Sequence, residues 1–151
     1  MKSEPDECSF DDVLRAPGRK TPWSGVRNYQ ARNFMRDEMC VGDGVLFYHS
    51  SCAEPGIAGI AEVASAPYPD ASQFDRKSDY YEPKAKKDAP IWVNVDVRAV
   101  RKIALVPLEE LRRHKALAGM VTLRPGNRLS ITPVTAAEWK FIVEKLAERP
   151  A

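Results

Sequence analysis

The spacing of hydrophobic positions switches between helical and alternating along this chain, and each switch predicts an element. "SFDDVLRA", Ser9 to Ala16, reads as a short helix with Ser9 as N-cap and Asp12 at the third position, and Pro17-Gly18 ends it. Ala31, Phe34, Met35 and Met39 recur at helical spacing with arginines opposite, predicting a second helix that begins near Asn28 and stops at Gly42 to Gly44. The pattern then turns to strand: "VLFYH" and "GIAGIAEVASA" are rich in β-formers or small apolar residues, and "IWVNVDVRAV" alternates cleanly. In that last run Ile91, Val93, Val95, Val97 and Ala99 take one face, and Trp92, Asn94, Asp96 and Arg98 the other. Tyr68 to Pro90 is too polar and proline-marked for a regular element, and a loop longer than ~15 residues in a compact domain is usually functional or disordered. Its aromatic residues argue against simple disorder.

Past the long strand, Pro107 opens a helix through Leu108 and Leu111, and a short turn carries Leu117 and Met120. "VTLR-PGN-RLSIT" reads as a hairpin joined by Pro-Gly-Asn. A capping box of Thr135 and Glu138 starts the last helix, whose stripe of Trp139, Ile142, Val143 and Leu146 should be core, leaving Trp139 no binding role. Strands interrupted by helices, without regular β-α-β alternation, predict an α+β fold: a strongly bent mixed sheet or small barrel with helices at its ends. No G-x-G-x-x-G or Walker loop is present, which argues against a doubly wound nucleotide fold. At 151 residues the chain fits one domain spanning 1–151, able to bury close to ~70% of its unfolded surface.

Composition narrows the chemistry. With 44% hydrophobic and 29% charged residues, and no apolar run long enough to cross a bilayer or act as a signal, the expectation is a cytoplasmic protein with no membrane partner. Cys8, Cys40 and Cys52 are far apart and never paired as C-x-x-C, and only His49 and His114 offer imidazole, so neither disulfide nor metal is expected. The formal charge is only +2, yet Arg15, Arg19, Lys20, Arg27, Arg32 and Arg36 follow one another without an acid. Such a stretch is either a phosphate-attracting face or ordinary solvated surface.

No catalytic set emerges. Ser50 and Ser51 follow His49 directly, but there is no G-x-S-x-G elbow, and a serine nucleophile needs a base within reach and an acid to orient it. A small hydrolase or nucleotide-modifying enzyme using His49 with Ser50, Ser51 or Cys52 is the alternative reading. The acid pairs Asp11-Asp12, Asp37-Glu38 and Glu109-Glu110 sit where solvation or the helix dipole explains them. What remains is an inventory of aromatics (Trp23, Tyr29, Tyr48, Tyr80, Tyr81 and Trp92) among amides, hydroxyls and basic groups, which suits a module that stacks a base and reads its edge. No cofactor is called for, and no protein partner is identified.

Several stretches together resemble the EVE domain: "KSEP" at Lys2 to Pro5, "WSGVRNYQARN" at Trp23 to Asn33, "GDGVLFYHSS" at Gly42 to Ser51, "GIAGIAEV" at Gly56 to Val63, "YPDASQFDRKSDYYEPK" at Tyr68 to Lys84, "PIWVNVDV" at Pro90 to Val97 and "RLSITPV" at Arg128 to Val134. The match runs through nearly the whole chain in order, and the chain looks like a bacterial member. The resemblance implies a PUA-like barrel related to the YTH readers of RNA, and capture of a modified base, with modified cytosine a known kind of ligand, from DNA or RNA. It also implies that Trp23, Arg27, Asn28, Trp92 and the Tyr80-Tyr81 loop line or close the pocket, with Lys2, Ser3, His49, Ser50, Ser51 and Arg128 around it. Trp23 is expected to be a stacking wall and Arg27 to touch a phosphate or base; the rival expectation is that Trp23 packs inside and Arg27 pairs with Asp37 or Glu38. Members usually carry a short apolar strand before the Lys-Ser-Glu-Pro motif; here only Met1 precedes it.

Overall fold

The computed structural model describes residues 1–148. Its strands, in chain order, are β1 (Lys2–Ser3), β2 (Lys20–Pro22), β3 (Gly44–His49), β4 (Gly56–Val63), β5 (Tyr68–Pro69), β6 (Val93–Asn94) and β7 (Asp96–Pro107). Five form one mixed sheet in the order β1-β3-β4-β7-β2, with β1 parallel to β3 and the other pairs antiparallel; β5 and β6 pair separately. Register shifts at Phe47/Tyr48, Ile57/Gly59 and Ile60/Ala61 bend β3, β4 and β7, so the sheet curls into a half-barrel of the expected α+β, PUA-like kind.

Both faces of the sheet's centre are covered, which is why β3 and β4 are buried along nearly their whole length. One face packs Phe10, Trp23, Phe47, Val95 and Val97 beneath α1 (Phe10–Arg15) and α2 (Tyr29–Asn33). The other packs Leu46, Ile57, Ile60, Ile103, Val106, Ile142 and Leu146 beneath α3 (Leu108–Arg113) and α4 (Ala136–Phe141). Gly59 lets α1 seat this closely: a Cβ there would lie 2.4 Å from the Phe10 ring. The capping boxes of Ser9 with Asp12 and Thr135 with Glu138 form as the spacing predicts. The helices at α2 and α4 both run on into π turns, Phe34–Glu38 and Ile142–Leu146.

Three expectations are corrected. Val121 to Thr132 is not a hairpin: Val121–Leu123 is a single tight turn, the Asn127 amide donates to Val121 O at 2.9 Å, and Ser130 O accepts from Lys2 N–H at 2.7 Å, so groups a ladder would use are committed elsewhere. The strand predicted from Ile91 to Val100 instead breaks at Val95, whose carbonyl accepts from Trp23 N–H, and resumes as β7 through to Pro107. Trp139 is only partly buried, its ring lying across Gly44, while Ile142 and Leu146 are buried.

Candidate functional site

A cleft of about 1020 Å³ opens where β1, the turn after β2, the turn after β3 and the tips of two loops converge. Its lining includes Trp23, Ser24, Gly25, Val26, Tyr80 and Arg128. Trp23 is fixed through its backbone, with N–H donating to Val95 O at 2.8 Å and its carbonyl accepting at 3.1 Å from the Asn94 amide in the orientation that satisfies its neighbours. The indole belongs to the hydrophobic core, edge-on to Phe47 with ring centres 5.5 Å apart, and only 8% of the residue is exposed. Tyr80 rests on Gly25, whose φ is +76°; a Cβ at Gly25 would come within 3.0 Å of the Tyr80 ring.

Serine hydroxyls separate this cleft from the rest of the described residues. Ser3, Ser9, Ser65, Ser72 and Ser78 use their hydroxyls within the fold, as caps or in turns. Ser24, Ser50, Ser51 and Ser130 make no side-chain hydrogen bond among the described residues, and all four line the cleft. Ser51 holds its place at φ +53°, a left-handed conformation that costs a non-glycine residue roughly 1–2 kcal/mol. Local strain of this kind is concentrated at binding sites.

Charge is divided around the rim. Lys2 and Arg128 stand with Glu4, Glu7 and Asp79. Lys2 Nζ donates to Asn127 O at 3.3 Å and lies 5.6 Å from the Tyr48 ring centre, and burial, then the charge of Arg112, lowers its pKa below the ordinary lysine value. Arg128 is exposed and has no hydrogen bond or ion pair among the described residues. The Lys-Ser-Glu-Pro motif is seated through β1: it pairs with β3, Ser50 N–H donates to Ser3 O, and Ser3 Oγ donates to Cys8 O at 2.6 Å. Burial, then Asp12, raises the Cys8 thiol, so it stays protonated.

Of the residues singled out from sequence, Lys2, Ser3, Trp23, Arg27, Ser50, Ser51, Tyr80 and Arg128 meet in this cleft. Asn28, Tyr29, His49, Tyr81 and Trp92 are not in its lining. The Asn28 side chain caps α2 by accepting from Ala31 N–H at 3.0 Å. Trp92, 3% exposed, has the guanidinium groups of Arg27 and Arg32 at 5.5 and 5.8 Å from its ring and Tyr29 beside it at 4.8 Å. His49 Nε2 accepts from Phe10 N–H at 3.1 Å, and burial lowers its pKa, so that lone pair is occupied by the start of α1 and not free to take a proton from Ser50 or Ser51.

The basic stretch is largely consumed within the fold. Arg15 pairs with Asp12, Arg36 with Asp37 and Arg27 with Asp70, while Arg32 donates to Ile91 O and Asn33 Oδ1. Arg27 thus meets neither Asp37 nor Glu38. Asp70, 2% exposed, is the group that sequence reasoning missed; Asp-x-Ser signals a turn, but nothing local signals a partner 43 residues upstream. Burial opposes its charge, but hydrogen bonds from Ser72, Gly25 N–H and Arg27 outweigh that and hold its carboxyl below the ordinary value.

With the geometry in hand, comparison with known proteins places the chain. The family model described as the EVE domain matches residues 1–145. Thymocyte nuclear protein 1 of Homo sapiens is 40% identical over 168 aligned positions, spanning all of this chain and 74% of the human protein. A crystal structure from Pseudomonas putida is 46% identical with a TM-score of 0.89, covering 95% of each chain. The crystal structure of human THYN1 in complex with DNA containing 5-methylcytosine is 41% identical, also at a TM-score of 0.89, covering 100% of this chain and 97% of that one. A match along nearly the full length in both sequence and fold leaves one assignment: the chain belongs to the EVE domain family.

Proposed function

We propose that this protein is a non-enzymatic reader of modified cytosine in DNA, which takes one base out of its strand into the cleft walled by Trp23 and Tyr80. The observation that carries the reading is that four serine hydroxyls with no hydrogen bond among the described residues line the same cleft as those two aromatic side chains. Flat rings supply stacking and hydroxyls supply donors and acceptors for a base edge. The complex of human THYN1 with 5-methylcytosine DNA supports the ligand class. At about 1020 Å³ the cleft is at the upper end of the ~300–1,000 Å³ that ligand pockets occupy, room for a nucleoside and its flanking phosphates. Glu4 and Glu7 offer carboxylate acceptors of the type that bind the cytosine N4 amine, and Pro22 and Val26 offer an apolar surface for a methyl group.

Magnitudes set the expected behaviour. Stacking contributes ~1–3 kcal/mol per base, whereas extruding a base costs a few kcal/mol. The cleft alone roughly breaks even on duplex DNA, so phosphate contacts from Arg128 and Lys2 add the usable affinity. One methyl group discriminates by ~1–3 kcal/mol, about 10–200-fold.

Titration with short oligonucleotides carrying or lacking 5-methylcytosine, followed by tryptophan fluorescence, tests the reading. Quenching that is tighter for the modified strand is the expected result. A folded protein with unchanged fluorescence toward every oligonucleotide overturns it, and a turnover product lost in His49→Ala favours the enzyme. An RNA of the same sequence binding more tightly moves the ligand class from DNA to RNA.

A further inference from the structure

Arg27 stands in the cleft lining, yet its guanidinium has nothing left to give a ligand. It carries five N–H donors, and the fold takes up each nitrogen. Nε and Nη2 donate to Tyr80 O at 3.1 and 2.8 Å, Nη2 also to Ser72 Oγ at 3.0 Å, and Nη1 to Val26 O at 3.0 Å and Asp70 Oδ2 at 3.1 Å. The rings of Tyr80 and Trp92 lie over it at 5.3 and 5.5 Å.

Its partner Asp70 is similarly saturated. Oδ2 accepts from Gly25 N–H at 2.8 Å, from Arg27, and from the Asn94 amide at 3.2 Å; Oδ1 accepts from Ser72 N–H and Ser72 Oγ at 2.9 and 2.6 Å. Asn94 also donates to Trp23 O. One partly buried ion pair therefore ties the segment bearing Trp23 to the loop bearing Tyr80, which are distant in sequence and both line the cleft.

We propose that Arg27 and Asp70 are positioning residues that hold the Tyr80 wall at a set spacing from Trp23, and that Arg128, not Arg27, is the cleft arginine that contacts phosphate beside Lys2. The inference rests on the reader function proposed above. A wall already in place spares the bound state the ordering of a loop, which is how pre-organisation raises affinity. Tyr80 also sits against Gly25 with no room for a side chain between them, so a small displacement of the loop changes the width of the cleft.

Two measurements on the full chain test this. The first needs no ligand: amide hydrogen exchange in Arg27→Met, with Arg27→Lys as the milder variant if the first does not fold. Faster exchange confined to residues 71–82, with the β3 and β4 amides unchanged, is expected; unchanged exchange at 71–82, or loss of protection throughout, overturns the proposal. The second is binding of a single-stranded 5-methylcytosine oligonucleotide across a salt series. Arg27→Met should weaken binding on the order of tenfold with the salt slope intact, whereas Arg128→Ala should lower the slope by about 0.7, the share of one phosphate on a single strand. In a Tyr80→Ala background, Arg27→Met should add nothing further. A reduced slope in Arg27→Met, or losses that simply add with Tyr80→Ala, overturns the assignment. If the unaltered protein binds no oligonucleotide, the reader function fails by itself, and the exchange result still decides whether Arg27 holds the wall.

Discussion

The protein has a second cleft, of about 560 Å³, on the side of the sheet under α4, and it too has a tryptophan at its edge, Trp139. The two hollows differ in what their polar groups are doing. Beside Trp139, Thr122 and Thr132 bond each other at 2.6 Å, Thr135 Oγ1 caps α4, and Asp43 accepts from Cys40 N–H. Beside Trp23, the hydroxyls of four serines and the guanidinium of Arg128 have no hydrogen bond among the described residues. An aromatic ring at a cavity wall is common to both and discriminates nothing; the Trp139 cleft also keeps Glu38 and the Tyr48 hydroxyl without a hydrogen bond among the described residues, so what separates the two is the number of unoccupied groups, four serine hydroxyls and a guanidinium beside Trp23.

The contrast can be broken most directly at the two indoles. Trp139→Ala should lower stability by about 3 kcal/mol, the low end for truncating a packed tryptophan because this one is only partly buried, and leave oligonucleotide binding unchanged. Calorimetry beside the fluorescence titration reads both; a binding defect there erases the distinction. Trp23→Ala should cost a comparable amount of stability, since its ring packs on Phe47, and in addition weaken binding by ~1–3 kcal/mol of lost stacking. Gly25→Ala sharpens the comparison: strain at a positive φ of ~1–2 kcal/mol, plus the close approach of the Tyr80 ring, should reduce both melting temperature and affinity, whereas Gly119→Ala, in open space away from the cleft, leaves affinity alone.

Smaller effects divide the hydroxyls. Thr135→Ala should remove ~1 kcal/mol of stability as a lost cap without touching affinity. Ser51→Ala should do the reverse, weakening binding by ~0.5–1.5 kcal/mol with the melting temperature held. The smallest effect is on acidification. Because the folded Asp70 carboxyl lies below its unfolded value, its contribution to stability is in place above about pH 3.9 and is lost as pH falls through the lower folded value. Acid unfolding of Asp70→Asn compared with the unaltered chain reads that step; identical acid limbs count against a charged Asp70.

Much of this was legible in sequence where the physics is local. The capping boxes at Ser9 and Thr135, the start of α2 at Asn28 and the strand character of β3 and β4 rest on contacts within a few residues, and the structure has each of them. The Pro-Gly-Asn turn misled because its flanking backbone groups pair elsewhere, Val121 O with the side chain of the turn's own Asn127 and Ser130 O with β1. Trp92 sits on the polar face that alternation assigns it and is nonetheless buried, because the loop after β5 covers that face through Gln73, which bonds both Trp92 N–H and Trp92 O.

Residue types and their periods determined the elements, the family resemblance and the pool of aromatic, hydroxyl and basic groups, since propensity, capping and alternation act over a few positions along the chain. Only the tertiary structure decided which members of that pool stay free. Whether a hydroxyl or guanidinium can meet a ligand depends on partners brought in from distant segments: Asp70 closes off Arg27, Phe10 occupies His49, and nothing reaches Ser24, Ser50, Ser51, Ser130 or Arg128 among the described residues.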